Sequence, residues 1–403
     1  MEWDKITLDK LGSVSRGRSK HRPRNDESLF NGIYPFIQTG DVKRSGLHIV
    51  DYTETYNEKG LAQSKLWAPG TLCITIAANI ADTSILSFPA CFPDSIIGFV
   101  ADKEKSDVRF IKYSFDILQK KCQAISLGAT QDNLSWEKLS KIKFDIPSLS
   151  IQHCIASILS AYDNLIENNN KRIRLLEQMA ENLYKEWFVR FRFPGHEKAE
   201  FENGLPKGWK RVKICDVCNV TDGVHNTVID APQSKYFLLS SKNIKAGKIV
   251  IGDNERTIDE DTFIILRKRT KMSKGDILLS SVGTIGEVCL LNEEPSYYEF
   301  QRSVAIIKPD SSIANSCLLY EMFKVMRSDF VNASHGAAQQ CLFIGDLKKM
   351  KICLPSKNIS DIFERKVRPI YNMISSISKQ NENLSRQRDL LLPRLMSGKL
   401  EVK

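Results

Sequence analysis

The sequence predicts an α/β (α+β) protein built by internal tandem duplication, with two mixed, mainly β globules separated by two long helices, one closing each copy. Three observations carry this. The two halves repeat each other at an offset near 206 residues, each copy ends in a stretch of seven-residue apolar period, and the segments before those stretches hold short strand-like runs bounded by Gly, Pro and Asp.

The copies begin alike. Trp3, Ile6, Leu8, Leu11 and Val14 have the spacing of Trp209, Val212, Ile214, Val217 and Val220, an offset of 206. Further on, "PGTLCITIAANIAD" (69–82) matches "KGDILLSSVGTIGE" (274–287) at 205, and "GATQDNL" (128–134) matches "GAAQQCL" (336–342) at 208. Leu139 with Leu347 and Pro147 with Pro355 keep the offset of 208. The order is preserved along the chain and the offset drifts by only a few residues, so two homologous modules in tandem are the simplest explanation. The runs "TLCITIA", "SIIGFVA", "DILLSSV" and "SVAIIKP" read as strands, with no regular alternation of strand and ten-residue helix. Each copy is therefore expected to be an irregular, mainly β globule.

Helical period takes over after "KIKFDIP" (141–147) and "KMKICLP" (349–355). In the first copy Ile155, Tyr162, Asn169, Leu176 and Leu183 form one row, and Leu159, Ile166, Ile173, Ala180 and Trp187 the other, an a/d seam over about five heptads. Adding 208 gives Phe363, Ile370, Ile377, Leu384 and Leu391 beside Val367, Ile374, Asn381, Arg388 and Leu395, the same seam frayed towards its end. A helix over 151–188 would be roughly 55 Å long at 1.5 Å per residue, a spacer rather than an ordinary globular helix. Asn169 and Asn381 interrupt the seams, where a polar residue either fixes register or faces water at a bend. Pro369 is expected to start or kink the second helix, and Pro393 with Gly398 to break and stop it.

Composition bounds the rest. At roughly 150 residues per domain, 403 residues make two or three domains. The chain is 42% apolar and 26% charged, with a mean hydropathy of -0.27, which excludes a largely disordered or membrane protein. No apolar run approaches the ~18 residues of a membrane span, and the opening, Met1 to Gly12, has no secretory h-region. Ten Cys scattered along the chain suit reduced thiols, so a cytoplasmic location is expected. Lys and Arg number 58 against 48 Asp and Glu, a net charge of +10 and a pI near 9.0. Nucleic acid is the first candidate for an acidic partner, although the same surplus also serves as a solvated surface.

Searches for catalytic chemistry fail. There is no GxxxxGK[ST], HExxH or GxSxG, and "SVGTIGEV" (281–288) has the wrong glycine spacing for a dinucleotide loop. Cys215 and Cys218 make one CxxC without a second pair at zinc spacing, and Asp9 and Gly12 stand there in the first copy. Glu364-Arg365-Lys366 has the Glu-x-Lys form of some nucleases but falls on the second long helix, where surface charge is the ordinary reading. Two similar but diverged globules held apart by helices of fixed length suit two short, unlike sequences on one duplex, with half-sites on one face about one turn, ~34 Å, apart.

At this point the residues carry a resemblance to a family. "GATQDNLS" with "KIKFDIPSLSIQ", the segment "LLEQMAENLYKEWFVRFRFPG" (175–195), the joint "GLPKGWK" (204–210) and the ending "RDLLLPRLMSGKLEV" (388–402) resemble the specificity (S) subunit of type I restriction-modification systems, over essentially the whole chain. The resemblance implies target-recognition domains at 1–150 and 196–358, helical regions at 151–195 and 359–403 packing as an antiparallel coiled coil, and no active site or cofactor of its own. It also implies double-stranded DNA with a bipartite target as ligand, and two modification (M) subunits as partners, which carry S-adenosylmethionine and methylate adenine N6. Restriction (R) subunits, using ATP and Mg, complete the implied complex.

Surfaces follow from the same resemblance. "TGDVKRSG" (39–46) offers Thr39, Lys43 and Arg44, and "SSKNIKAG" (240–247) offers Lys242, Asn243 and Lys245, the side-chain types that contact phosphates, guanine or adenine. Asn79 with Thr83, Gln131 with Asn133, Thr284, Gln301 with Arg302, and Gln339 with Gln340 add polar positions at corresponding or neighbouring places in the two copies. On the helices, Met179, Leu183, Trp187, Phe188 and Phe191 put more apolar area than one seam uses, as an M-docking surface would, with Leu395 in place of Trp187 in the second copy and Met396 in place of Phe188. The alternatives are burial of those residues against the helix's own globule, a non-catalytic scaffold that binds no DNA, and a fused restriction enzyme with an unrecognised active site.

Overall fold

The structure, a computed structural model, describes residues 3–76, 81–125, 136–225, 228–252, 254–336 and 340–402, with backbone alone for 120–125, 136 and 138. The chain divides into two compact units, one formed by Met1–Lys171 with Ser378–Lys403 and the other by Arg172–Ile377. Each unit thus combines one globule with a share of both long helices, and the boundary between units falls within the helical regions.

The first unit is built on a five-stranded sheet in the order Gly12–Arg16, Ile96–Ala101, Leu72–Thr75, Thr83–Leu86, His48–Ile49, antiparallel except for the last pair. Leu72–Thr75 and Thr83–Leu86 are buried at every position because both faces of the sheet are covered. Alternation sorts the side chains. Leu72, Ile74, Ile85, Ile97 and Phe99 join Phe110 and Ile111 of the helix Val108–Ile125 and Ile155 and Leu159 of the first long helix. Cys73, Leu86 and Ile96 face the other way, onto Trp67 and Phe92, whose rings stack at 4.8 Å. Each such Leu, Ile or Phe contributes about 1.5–3 kcal/mol. Gly98 sits under Trp67, whose ring lies 2.5 Å from where a Cβ would stand, so the stack requires glycine there.

The second unit repeats this plan in the order Cys218–Asp222, Val304–Pro309, Ile277–Ser280, Val288–Leu290. Ile277, Leu279, Val288 and Ile307 face the helix Ser316–Val325, while Leu278, Cys289 and Ile306 face Phe300 on the opposite side. The short strand Asp4–Thr7 pairs with Lys143–Ile146, and Lys210–Lys213 pairs with Lys351–Leu354, so each globule ties an early strand to the one that feeds its long helix. The duplication is therefore structural as well as sequential.

The first long helix runs from Leu149 to Tyr184 and passes into a π-helical turn, Lys185–Val189; the second runs from Lys357 to Met396. Within the first unit Asp163 meets Arg388 and Asn169 meets Asn381, so numbers rise on one helix as they fall on the other and the pair is antiparallel. Within the second unit Ile173, Ala180, Tyr184 and Trp187 share a core with Phe363, Val367, Ile370, Ile374 and Ile377. Pro369 neither starts nor interrupts its helix. Its loss of one backbone bond, about 3 kcal/mol in an isolated helix, is outweighed by the burial of Val367, Ile370 and Tyr371 around it. Pro393 is likewise interior, and the chain leaves the helix just before Gly398, whose φ of +67 suits glycine.

Candidate nucleic-acid interface

Backbone pairing brings distant loops to one end of each sheet. In the second unit Asp222, Ser280 and Val304 all lie at that end, where Asp222 opposes Ala305 and Ser280 opposes Val304. Beyond it, Ser281 N donates to Ser303 O at 2.9 Å, Val224 N to Phe300 O at 2.8 Å, Gly283 N to Gln340 O at 3.3 Å and Ser241 N to Ser303 Oγ at 3.0 Å. Five segments, around Val224, Ser241, Thr284, Gln301 and Gln340, are thus knitted into one surface. Thr284, Arg302 and Gln340 are exposed on it and Gln301 is half-buried. His225 is bonded to Asp222, which also has Arg269 at 3.5 Å.

The first unit has the same framework. Ile76 N donates to Ser95 O at 3.0 Å, Arg18 N to Phe92 O at 2.9 Å and Gly17 N to Ile96 O at 2.8 Å, the counterparts of Ser281, Val224 and Gly223. Gly17 and Gly223 are pressed alike, each with a carbonyl oxygen 2.2 Å from the place of a Cβ, Pro93 O in one case and Phe300 O in the other. The chemistry differs. Where the second unit has Asp222, Val224 and His225, the first runs through Arg16, Arg18, Lys20, His21, Arg22 and Arg24 in nine residues. Arg24 pairs with Asp94 at 2.7 Å, and His21 bonds Asp26 at 2.7 Å. The Ser28 backbone and hydroxyl, helped by His21, hold the Asp26 carboxyl down at about 2. Beside this run lies a groove of about 520 Å³ lined by Arg24, Asn31, Gln38, Thr39, Thr53 and Glu54 among others.

The sequence-derived candidates distribute unevenly over these surfaces. Thr39 lines the groove, and Lys43 and Arg44 are exposed on the helix Thr39–Arg44, with Arg44 bonded to the buried Asp41. Beyond that helix the chain enters the strand at His48, whose ring and backbone N both bond Glu167 of the first long helix, at 3.0 and 2.8 Å. Asn243 is corrected: only 2% exposed, it accepts from Ser240 N at 3.0 Å and donates to Val250 O at 2.9 Å. Its role is a cap, the one that Asp41 plays towards Gln38 N at 2.8 Å in the first copy, and its amide has no edge left for a base. Lys242 and Lys245 remain exposed, with Lys242 3.0 Å from Glu255. Burial opposes ionisation of Glu255, but hydrogen bonds from Lys242 and Asn243 outweigh it and lower its pKa. Thr83 is buried in its strand, its hydroxyl without a hydrogen-bond partner among the described residues. Asn79, Gln131, Asn133 and Gln339 lie outside the described residues.

On the helices the apolar candidates split. Met179 is 60% exposed, and Leu175 one turn before it is also exposed. Trp187 is buried instead, against Phe188 and Phe363, with Trp209 and Phe193 in the same core, and Phe188 and Phe191 pack on Trp209. Leu183 is half-buried on that cluster, and Leu395 is buried with Leu8 and Phe110 in the first unit. Trp187, on the helix that closes the first copy, is thus buried in the second unit, and Leu395, on the helix that closes the second copy, is buried in the first. Among the described residues no group of three or more His, Cys, Asp or Glu could hold a metal ion, and no helix is long and apolar enough to cross a membrane.

The basic run "RGRSKHRPR" (16–24) is the feature that sequence reasoning missed. Nine residues carrying six basic side chains were the available signal, but the run has no counterpart in the second copy, so a search for what the halves share passes over it.

Comparison with known proteins gives a consistent result. The family described as "Type I restriction modification DNA specificity domain" matches residues 1–178 and again 206–386, one match per copy. A curated relative, the type I restriction enzyme MjaIX specificity subunit of Methanocaldococcus jannaschii, is 25% identical over all of this chain and 94% of its own length. The EcoBI specificity subunit of Escherichia coli is 22% identical over 99% of this chain and 86% of its own. Among solved structures, a type I restriction-modification S subunit from M. genitalium aligns with a TM-score of 0.60 at 15% identity, covering 98% of this chain and 96% of that one.

Proposed function

Since the chain belongs to the family of type I restriction-modification DNA specificity domains, carrying that domain twice, we propose that it is the subunit that gives such a complex its DNA target. Each globule reads one half of a bipartite, asymmetric site in double-stranded DNA. The long helices fix the spacing between the halves and dock two M subunits, whose S-adenosylmethionine supplies the methyl group for adenine N6. R subunits, with ATP and Mg, restrict duplexes that lack the mark. The chain contributes no catalytic step of its own.

The observation that carries the reading is the pairing of like scaffolds with unlike surfaces: the same strand order and the same backbone bonds present Arg16 and Arg18 in one unit and Asp222 and Val224 in the other. A duplicated frame whose exposed ends have diverged suits two different half-sites. Arg302, Thr284, Gln301, Gln340 and Lys242 are the candidates to meet DNA in the second half, and Thr39, Lys43 and Arg44 beside the basic run in the first. Phosphate contacts position, and base-edge contacts from the remaining polar side chains specify. Met179 with Leu175 is the candidate M contact, and Gln387 and Asn383 stand at those places on the second helix, so the two docking sites differ.

Methylome sequencing tests this. The gene is expressed with that of its M subunit in a host without methylation of its own. A single bipartite motif, N6-methylated in both halves and present only with this chain, is the expected result. Methylation of the same sites without the chain, or co-purification with M and no motif, would overturn it in favour of a scaffold.

A further inference from the structure

We propose that the segment from Arg16 to Lys20 is a preorganised phosphate clamp that makes the first globule the anchoring half of the molecule, a role that the second globule does not share. The proposal rests on the DNA-specificity reading and adds to it which half holds the duplex and by what chemistry.

Side chains along this segment alternate. Arg16, Arg18 and Lys20 are exposed while Gly17 and Ser19 between them are buried, so the three cations share the outer side. The backbone beneath them is pinned. Arg18 N donates to Phe92 O at 2.9 Å and Arg18 O accepts from Ser64 Oγ at 2.7 Å. Gln63 Oε1 accepts from both Lys20 N, at 2.6 Å, and His21 N, at 3.0 Å. The Arg22 guanidinium turns back onto Ser19 O and His21 O, at 2.7 and 2.8 Å, and closes the segment on itself. Among the described residues the heads of Arg16, Arg18 and Lys20 meet no carboxylate, unlike Arg24, which Asp94 neutralises.

Three unneutralised cations on a fixed backbone are a site for an anion repeated at regular spacing, and a nucleic-acid strand is that anion. Such contacts follow charge rather than base identity and give affinity that falls with salt. At the corresponding places the second copy has Asp222, Val224 and Asn226, with the Asp222 charge shared between His225 and Arg269. The second copy therefore lacks the three cations at those places, and its contribution leans on directed contacts from residues such as Gln301 and Arg302. Gln63 and Ser64 act as positioning residues, since they touch backbone and not the ligand.

The full chain, assembled with its M subunits, is titrated against a duplex bearing its methylated motif and against an unrelated duplex, between 50 and 200 mM salt. In R16Q/R18Q/K20Q the slope of log K against log salt should fall by about 2.7, and the wild type should lose about 40-fold more affinity than the variant across that range. Both duplexes should weaken alike, with the methylated motif unchanged. R16K/R18K should keep the slope, because lysine still meets phosphate as a point charge. Q63A should weaken binding at an unchanged slope, since it removes preorganisation and no charge. An unchanged slope in the triple variant overturns the clamp, as does an altered motif, which would make these residues base readers. If the wild type binds neither duplex, the specificity reading itself fails. Because the three side chains are exposed, an unchanged melting curve separates loss of binding from loss of fold.

Discussion

Arg388 gives the sharpest test of how the helix pair is held. Its guanidinium bonds the carboxylate of Asp163, which is 5% exposed and also accepts from Tyr113 Oη at 2.5 Å. Burial opposes the charge on Arg388, but the field of Asp163 outweighs it and raises the arginine's pKa. Arg388→Met would leave Asp163 with a single neutral donor in a largely dry place. Breaking a buried pair from one side costs about 3–5 kcal/mol. Because Arg388 is 25% exposed and Tyr113 stays, the expected loss is nearer 2–3 kcal/mol. Asp163→Asn should cost less, since Arg388 keeps Asp389 at 3.1 Å. The double variant should recover part of the sum, with a coupling of about 1–2 kcal/mol. Native-state hydrogen exchange over Val108–Ile125, the helix that carries Tyr113, reads this unit apart from the other. Protection in Arg388→Met within about 0.5 kcal/mol of wild type would refute the argument and reduce the pair to a surface contact.

Three further outcomes follow from the fold. Gly17→Ala and Gly223→Ala should each destabilise their own unit by about 1–3 kcal/mol, because both place a methyl against a carbonyl; chemical denaturation of the single variants would show equal tolerance if the shared framework were soft. Burial raises the Glu321 carboxyl above its ordinary 4.5, against the pull of Lys324, so the folded state binds the extra proton and stability falls as pH rises through and above that value. Glu321→Gln should flatten this part of the pH–stability curve, and an unchanged curve would count against it. Cys215 is exposed while Cys73, Cys289 and Cys317 are buried, with burial pushing the Cys289 thiol up to about 12. Brief maleimide treatment of the native protein followed by peptide mapping should label Cys215 well before those three.

The duplication and the seams were legible because both are periodic. Apolar residues recurring at seven, and segments recurring near 206, leave signals that no single substitution erases. Asn169 and Asn381 stood out for the same reason, and each proves to be the other's partner, at 2.9 Å. Periodicity fails where charge enters the seam. Tyr162 was expected in the row, yet the buried side chain is its neighbour Asp163, and Arg388, which looked like fraying, is what satisfies it. Asn243 misled because an amide in a loop suits a base or a cap equally, and only the distances to Ser240 and Val250 decide. The basic run from Arg16 to Arg24 belongs to one copy alone, so the internal repeat carries no trace of it. What the halves share is scaffold, and what distinguishes them is where recognition has to be sought.

The discontinuity of the first unit has a consequence for how the protein is made. Its core includes Leu392 and Leu395, packed with Leu8, Phe110 and Leu159, whereas the second unit is one unbroken stretch of chain. At 5–20 residues per second, roughly ten to fifty seconds of translation separate Lys171 from the last residues that close that core. The half synthesised first is therefore completed last, and during that interval an open apolar face is on offer to chaperones, to proteases and to other nascent copies of the same chain.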